Sequence, residues 1–193
     1  TAGVFSESGH GAQRLAFSTP LVLTGALDDH PVAVEILISR AKERARSPMS
    51  GSVLLVAAAS KSDAANTQWT GLYQVLAEKV GSQAGFASAR FFPLSAGASR
   101  EETRKSKEEL RALAKSLRQR GAIVVVTASL VRGESDSLLP KILDGILVKF
   151  NAKTMLPDRR LARWAEETLL KHEGLPDMRR YRDEEGPAAG RRQ

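Results

Sequence analysis

The sequence predicts an α/β fold, a three-layer sandwich with a mainly parallel sheet, and three observations support this prediction. Apolar segments rich in Val, Leu and Ile alternate with amphipathic segments along most of the 193 residues. The apolar segments are continuous, which is typical of parallel strands whose two faces are both covered by helices. Turn-rich connectors such as "SPMSGS" separate a helix from the strand that follows it.

The first strand-helix pair lies near the start of the chain. The apolar run "PLVLTGAL" (Pro20 to Leu27) predicts a short strand, and "DDHP" follows it. Asp28 or Asp29 suits the N-cap of the next helix, and Pro31 suits its first turn. Helical spacing then places four apolar residues on one face of that helix, namely Ala33, Ile36, Leu37 and Ala41.

A second pair begins with the strand "VLLVAA" at Val53 and continues in a helix that starts near Ser62 or Asp63. The segment "GFASARFFPLS" predicts a further strand that ends at Pro93. The helix face that is expected to pack on the sheet carries Trp69, Leu72, Leu76 and Val80.

The third helix is predicted over Arg100–Arg120, where a capping box of Ser99 with Glu102 marks its start. The β-branched run "GAIVVVTASL" follows it at Gly121 and is the clearest strand of the chain. The apolar stripe of the helix consists of Leu110, Leu113, Ala114 and Leu117.

Shorter elements complete the chain. "VRGESDS" predicts a loop, and a helix around Leu138–Leu143 follows it. A strand at "GILVKF" and a last amphipathic helix at "RRLARWAEETLLKH" come next. The residues after this helix are polar and lack an apolar periodicity, so we expect residues 173–193 to form a disordered tail.

The composition excludes several classes of protein. The chain has no cysteine, which rules out disulfides, zinc–thiolate sites and thiol nucleophiles. No window approaches eighteen consecutive apolar residues, so we expect no membrane span. The net charge of +7 favours anionic partners. No basic run is interleaved with aromatic residues, which argues against a nucleic-acid-binding module.

The order of these parts resembles the class II chelatases, specifically the sirohydrochlorin cobaltochelatase group, whose members consist of two similar α/β halves. Residues 122–146 resemble the closing strand, loop and helix of the second half. "VFSESGHGAQRLAF" is similar to the closing loop of a first half whose opening is absent. Residues 53–69 resemble the opening of the second half, and Asp63, Asn66 and Trp69 fit its pattern.

The resemblance implies a domain organisation and an activity. Residues 1–50 would be the C-terminal part of a first chelatase-like half, and residues 51–172 would be the second half. The implied activity is insertion of a divalent metal, Co²⁺ first and Ni²⁺ second, into an anionic tetrapyrrole. The implied site is a cleft at the carboxyl ends of the strands. The resemblance also favours a cytoplasmic location and leaves a homo-oligomer open.

Imidazole suits this chemistry, because near neutral pH it can hold a divalent ion and accept the pyrrole protons. His10, flanked by glycines in "SGHG", is placed at the cleft by the resemblance and is the expected catalytic residue and metal ligand. A solvated loop histidine is the alternative for His10. His30 is a second expected ligand. The neighbouring Asp28 and Asp29 are expected to raise its pKa or to act as ligands themselves. A plain role at the start of a helix is the alternative for His30.

Glu134 in "VRGESDS" is the third expected metal ligand, because the resemblance places a ligand of the second half in this loop, and loops after parallel strands commonly carry functional side chains. An ordinary acidic loop residue is the alternative. The His-Gly turn of the family would fall at Ala58 and Ala59 in this half, so that imidazole is missing. Two further functions therefore stay open. One is a catalytically inactive relative that binds metal or tetrapyrrole, and the other is a basic scaffold whose residues 100–120 and tail contact a polyanion.

Overall fold

The structure is a computed structural model that describes Thr24 and residues 26–45, 51–60, 63–95 and 99–171. Contacts between Cα atoms divide the chain into one unit of Leu27–Ala162 and a second unit of Thr1–Ala26 with Arg163–Gln193. The sheet lies in the first of these units. The strand predicted at Pro20–Leu27 lies mostly outside the described residues, and the predicted tail lies wholly outside them.

Four parallel strands form the described sheet, in the order β2-β1-β3-β4. In the middle of the sheet, Leu55 is level with Phe91 on one side and with Val126 on the other. The two central strands are buried over nearly their whole length, which explains their continuous apolar sequences. The strands are β1 (Gly51–Ala58), β2 (Ser88–Leu94), β3 (Ala122–Thr127) and β4 (Lys149–Asn151).

Helices cover both faces of the sheet. Leu54 of β1 packs in one buried cluster with Leu110 of α3 and Leu139 of α4. Its neighbour Leu55 is equally buried but points to the opposite face, which α1 and α2 cover. The predicted three-layer α/β sandwich with a parallel sheet is confirmed. The helices are α1 (Pro31–Lys42), α2 (Asp63–Ala84), α3 (Arg100–Arg120), α4 (Glu134–Ile142) and α5 (Arg159–Leu170).

The third helix has the predicted bounds, because its start is determined locally. The Ser99 hydroxyl accepts a hydrogen bond from the Glu102 N–H at 3.2 Å, and a Glu102 carboxylate oxygen accepts one from the Ser99 N–H at 3.0 Å. Three of the four predicted stripe residues are buried. Within the described residues, no helix is long and apolar enough to span a membrane.

The part of α2 that packs on the sheet differs from the predicted one. Trp69 was expected on the buried face but is 38% exposed, whereas Leu76 and Val80 are buried as expected. The helix approaches the sheet closely near its end. A Cβ at Gly81 would lie only 2.5 Å from the Ala89 Cβ, so this glycine lets the last turns of α2 approach β2 most closely.

Two strands differ from their predicted bounds. β2 continues through Pro93, which is level with Ala57, because an edge strand tolerates a residue that lacks the N–H donor. β4 has only three residues, Lys149–Asn151, instead of covering "GILVKF". The chain after α4 first has to turn, and Gly145 makes this turn with a positive φ of 74°.

The strand order defines a switch point. From β1 the chain crosses to β2 on one side, and it then returns to β3 on the other side of β1. Ligands of open α/β sheets commonly bind at such a point, beside the carboxyl ends of the strands. A ligand site is therefore expected at the carboxyl ends of the strands.

Candidate functional site

The join after β1 is closed by its own backbone and by one asparagine. The Ala59 N–H donates to the Leu94 carbonyl at 3.0 Å. Asn66 binds Ser60 twice, since its Oδ1 accepts from the Ser60 N–H at 2.6 Å and its Nδ2 donates to the Ser60 carbonyl at 2.8 Å. Ala58 is exposed and presents a methyl group. The described part of this join therefore holds backbone in place and offers no imidazole or carboxylate.

His30 is the N-cap of α1, which corrects the prediction that Asp28 or Asp29 holds that position. Its Nδ1 accepts a hydrogen bond from the Val32 N–H at 3.2 Å. Asp29 instead pairs with Lys79 of α2 at 2.5 Å, and this hydrogen bond lowers the pKa of Asp29. The positive φ of 32° at Asp28 turns the chain just before the helix, which places the imidazole at the cap.

Glu134 is the first residue of α4 and is exposed, whereas the sequence predicted a loop there and a helix start near Leu138. The side chain of Asp136 explains the early start. Its Oδ2 accepts from the Gly133 N–H at 2.8 Å, and its Oδ1 accepts from the Ser129 hydroxyl at 3.1 Å. Asp136 is only 6% exposed, so this carboxylate stabilises the first turn of α4 and the chain that leaves β3.

The described candidates belong to different elements. His30 begins α1 and lies beside α2, since its neighbour Asp29 pairs with Lys79. Glu134 follows the carboxyl end of β3. His10 lies outside the described residues. Among the residues that are described, no group of three or more His, Asp or Glu side chains could hold a metal ion.

A cavity of about 520 Å³ lies beside the carboxyl end of β4, and its walls are cationic. We call it the cationic cavity. Four of its lining residues carry a positive charge, and no lining residue carries a negative charge. It is lined by Arg40, Arg44, Arg132, Asn151, Ala152, Lys153, Thr154, Leu156 and Pro157.

Asn151 joins the elements that form this cavity. Its side chain is fully buried at the end of β4. Its Nδ2 donates to the Arg40 carbonyl at 2.7 Å and to Glu43 Oε2 at 3.1 Å, and its Oδ1 accepts from the Lys153 N–H at 3.1 Å. One amide side chain thus fixes the end of α1 against the chain that leaves β4, although 111 residues separate Asn151 from Arg40.

Hydrogen bonds between two loops form the other wall. The chain after β4 runs beside the chain after β3, since the Met155 N–H donates to the Ser129 carbonyl at 3.0 Å and the Leu156 N–H to the Leu130 carbonyl at 2.9 Å. Arg132 Nη2 donates to the Ala152 carbonyl at 3.2 Å. These contacts hold the Arg132 guanidinium at the rim.

Two carboxylates near the cavity neutralise part of its charge. Glu43 pairs with Lys153 at 2.9 Å, and this hydrogen bond lowers the pKa of Glu43. Asp158 binds Arg160 at 2.9 Å, and chiefly this hydrogen bond lowers the pKa of Asp158 to about 2. Arg40 lies 3.2 Å from Glu43 and 3.5 Å from Asp158. Arg40 and Lys153 therefore already have anionic partners.

Arg44 and Arg132 differ from the other two cations. Neither guanidinium forms an ion pair with a carboxylate of the described residues, and both residues are exposed. Their charges are available to an anionic ligand. The sequence analysis missed this cavity, because its cations come from three separate segments and form no motif. The net charge of +7 was the one signal of an anionic partner.

Comparisons of the chain with protein-family models, with curated proteins and with solved structures gave no match. The chelatase resemblance therefore stays a prediction.

Proposed function

We propose that the chain is a chelatase-like protein that binds an anionic tetrapyrrole, and that the cationic cavity binds carboxylates at one edge of this ligand. The observation that carries the proposal is a cavity with four cationic lining residues and no acidic one. Guanidinium groups form paired hydrogen bonds with carboxylates, so Arg44 and Arg132 suit a ligand that carries several of them.

The size and position of the cavity support the same ligand class. Its volume of about 520 Å³ falls within the range of roughly 300–1,000 Å³ that is usual for small-molecule sites. That volume suits one edge of a macrocycle. The cavity also lies at the carboxyl ends of β3 and β4, which is the edge of the sheet where the resemblance places the cleft.

The divalent metal is a substrate in this proposal, Co²⁺ first and Ni²⁺ second. His10 would hold the ion first and, once the ion has passed to the macrocycle, would accept one of the two pyrrole protons, while the other goes to solvent. Nδ1 of His30 already accepts from Val32 at the start of α1, whereas Glu134 is exposed at the start of α4. Glu134 shares the carboxyl edge with the cationic cavity, which favours it as the second ligand.

A binding protein without insertion activity is the second candidate. The observation that favours it is that polar side chains near the expected metal positions already bind other groups of the chain. Nδ1 of His30 accepts from Val32, Asp29 pairs with Lys79, and Asn66 holds Ser60. In a protein of this kind the cavity would bind the tetrapyrrole, and the metal would not be inserted.

The rate of Co²⁺ insertion into sirohydrochlorin, followed by absorbance, tests the first candidate. We expect acceleration over buffer that is lost in His10→Ala and reduced about tenfold in Arg132→Gln at subsaturating tetrapyrrole. Arg104→Gln is the matched control, because Arg104 lies on the exposed face of α3 in a pair with Glu108. A rate equal to that in buffer would contradict insertion activity.

Binding of sirohydrochlorin to the same variants then separates the remaining functions. Saturable binding that Arg132→Gln weakens and Arg104→Gln does not would support the binding protein. The scaffold hypothesis instead predicts binding of a linear polyanion that falls steeply with salt and is unchanged in Arg132→Gln. That result would contradict a role for the cationic cavity.

A further inference from the structure

An exposed apolar patch adjoins the cationic cavity. Leu130, Val131 and Leu156 are 47%, 63% and 42% exposed. They are neighbours, because the Leu156 N–H donates to the Leu130 carbonyl at 2.9 Å and Val131 is the next residue of the same loop. Clustered exposed apolar side chains commonly mark a contact surface, whereas single ones do not. We call these three residues the apolar rim.

The rim is continuous with the cavity. Leu156 belongs to both, since it lines the cavity beside Pro157. Arg132 follows Val131 directly and lines the cavity as well. A ligand that places an anionic group against Arg132 therefore has apolar side chains beside its next atoms.

We propose that this surface binds an amphipathic anion, whose carboxylates enter the cationic cavity and whose flat apolar body lies on Leu130, Val131 and Leu156. The inference rests on the proposed function in using the same cavity, but it does not require the ligand to be a tetrapyrrole. Opposite charge selects the carboxylate edge, and removal of apolar surface from water adds affinity for the body. Small polycarboxylates without such a body would gain nothing from the rim.

Three probes test this inference on the full chain: uroporphyrin, pyrenetetracarboxylate and citrate. Val131→Ser and Leu130→Ser shorten exposed side chains, so the fold should be kept, which a thermal unfolding curve checks. We expect each variant to bind uroporphyrin and pyrenetetracarboxylate about fivefold to tenfold more weakly, because each loses most of one apolar contact. Citrate affinity should change less than twofold. Leu147→Ser is the matched control, since Leu147 is 76% exposed and lines a different cavity, with Ile123 and Val148.

The outcomes separate this inference from the proposed function. Uroporphyrin binding that Arg132→Gln weakens and Val131→Ser leaves unchanged would overturn the apolar rim and keep the proposed function. Rim-dependent binding of pyrenetetracarboxylate without any uroporphyrin binding would support the rim and overturn the tetrapyrrole. A sedimentation experiment covers the rival occupant. If Val131→Ser turns a dimer into a monomer and leaves uroporphyrin affinity unchanged, the rim contacts a second copy and the inference is wrong.

Discussion

The carboxyl ends of β1 and β4 are both held by an asparagine side chain, yet they present opposite chemistry. Asn66 binds the backbone of Ser60, six residues away, and the join it closes exposes the methyl group of Ala58. Asn151 binds groups that are up to 111 residues away and brings α1 against the chain after β4. The cationic cavity is the result of this second arrangement.

The difference shows where charge can collect on this fold. A short strand-helix join satisfies its own backbone and needs no help from distant segments. The end of β4 has no such closure, because β4 is a three-residue edge strand that leads into an irregular segment. Two arginine side chains complete this strand end: Arg40 of α1 donates to the Thr154 carbonyl, and Arg132 of the loop after β3 donates to the Ala152 carbonyl.

The largest expected effect is a loss of stability on replacing the asparagine at the end of β4, compared with replacing the one that holds the end of β1. Asn151→Ala removes three hydrogen bonds from a fully buried position, and it should lower the free energy of unfolding by about 2–4 kcal/mol. Asn66→Ala is the matched control. It acts at a half-buried position on one residue only, and about 1 kcal/mol is expected there. Urea denaturation measures both. Equal losses would break the distinction between the two strand ends.

A second prediction concerns pH, because ion pairs support the end of β4. The pKa of Asp158 falls from 3.8 to about 2 in the folded chain. Its stabilisation of about 2 kcal/mol is therefore present above pH 4 and is lost as the pH falls toward 2. Asp158→Asn keeps a side-chain oxygen that can accept the hydrogen bond from the Arg160 N–H at 3.0 Å, but it loses the charge. It should be less stable than the unmodified chain at pH 7 and nearly equal to it at pH 2. A constant difference between the two at every pH would contradict this assignment.

A third prediction places the same carboxylate at each strand end. Ala152→Glu adds a negative charge inside the cationic cavity, so uroporphyrin affinity should fall at least about tenfold, or roughly 1.4 kcal/mol. Ala58→Glu adds the same charge at the end of β1, where affinity should change less than twofold. A fluorescence titration measures both affinities. The reverse order of effects would move the ligand to the join after β1.

Most of the fold could be predicted from the sequence, because its signals are local. The bounds of α3 follow from a capping box and an apolar stripe within one segment. Features that depend on packing between distant segments were predicted wrongly. Trp69 was predicted on the buried face of α2 and is 38% exposed. The N-cap role of His30 depends on Asp29 being drawn to Lys79.

The candidate site could be predicted only in part, for a related reason. The net charge favoured an anionic partner, and the sequence placed Glu134 after the strand that the structure gives as β3. It could not bring Arg44 and Arg132 to one cavity, because nothing in the spacing reveals that Asn151 holds the end of α1, and Arg132 the loop after β3, against the chain that leaves β4. Contacts across more than 100 residues leave no periodic pattern.

The most direct test of the account is an amide chemical-shift titration of the ¹⁵N-labelled chain with uroporphyrin. The central claim is that the ligand binds at the end of β4 and not at the end of β1. We expect the amides of Arg132 and residues 152–154 to shift with a common saturation curve, while those of residues 58–60 stay in place. Shifts confined to residues 58–60 and the first turn of α2 would contradict the claim.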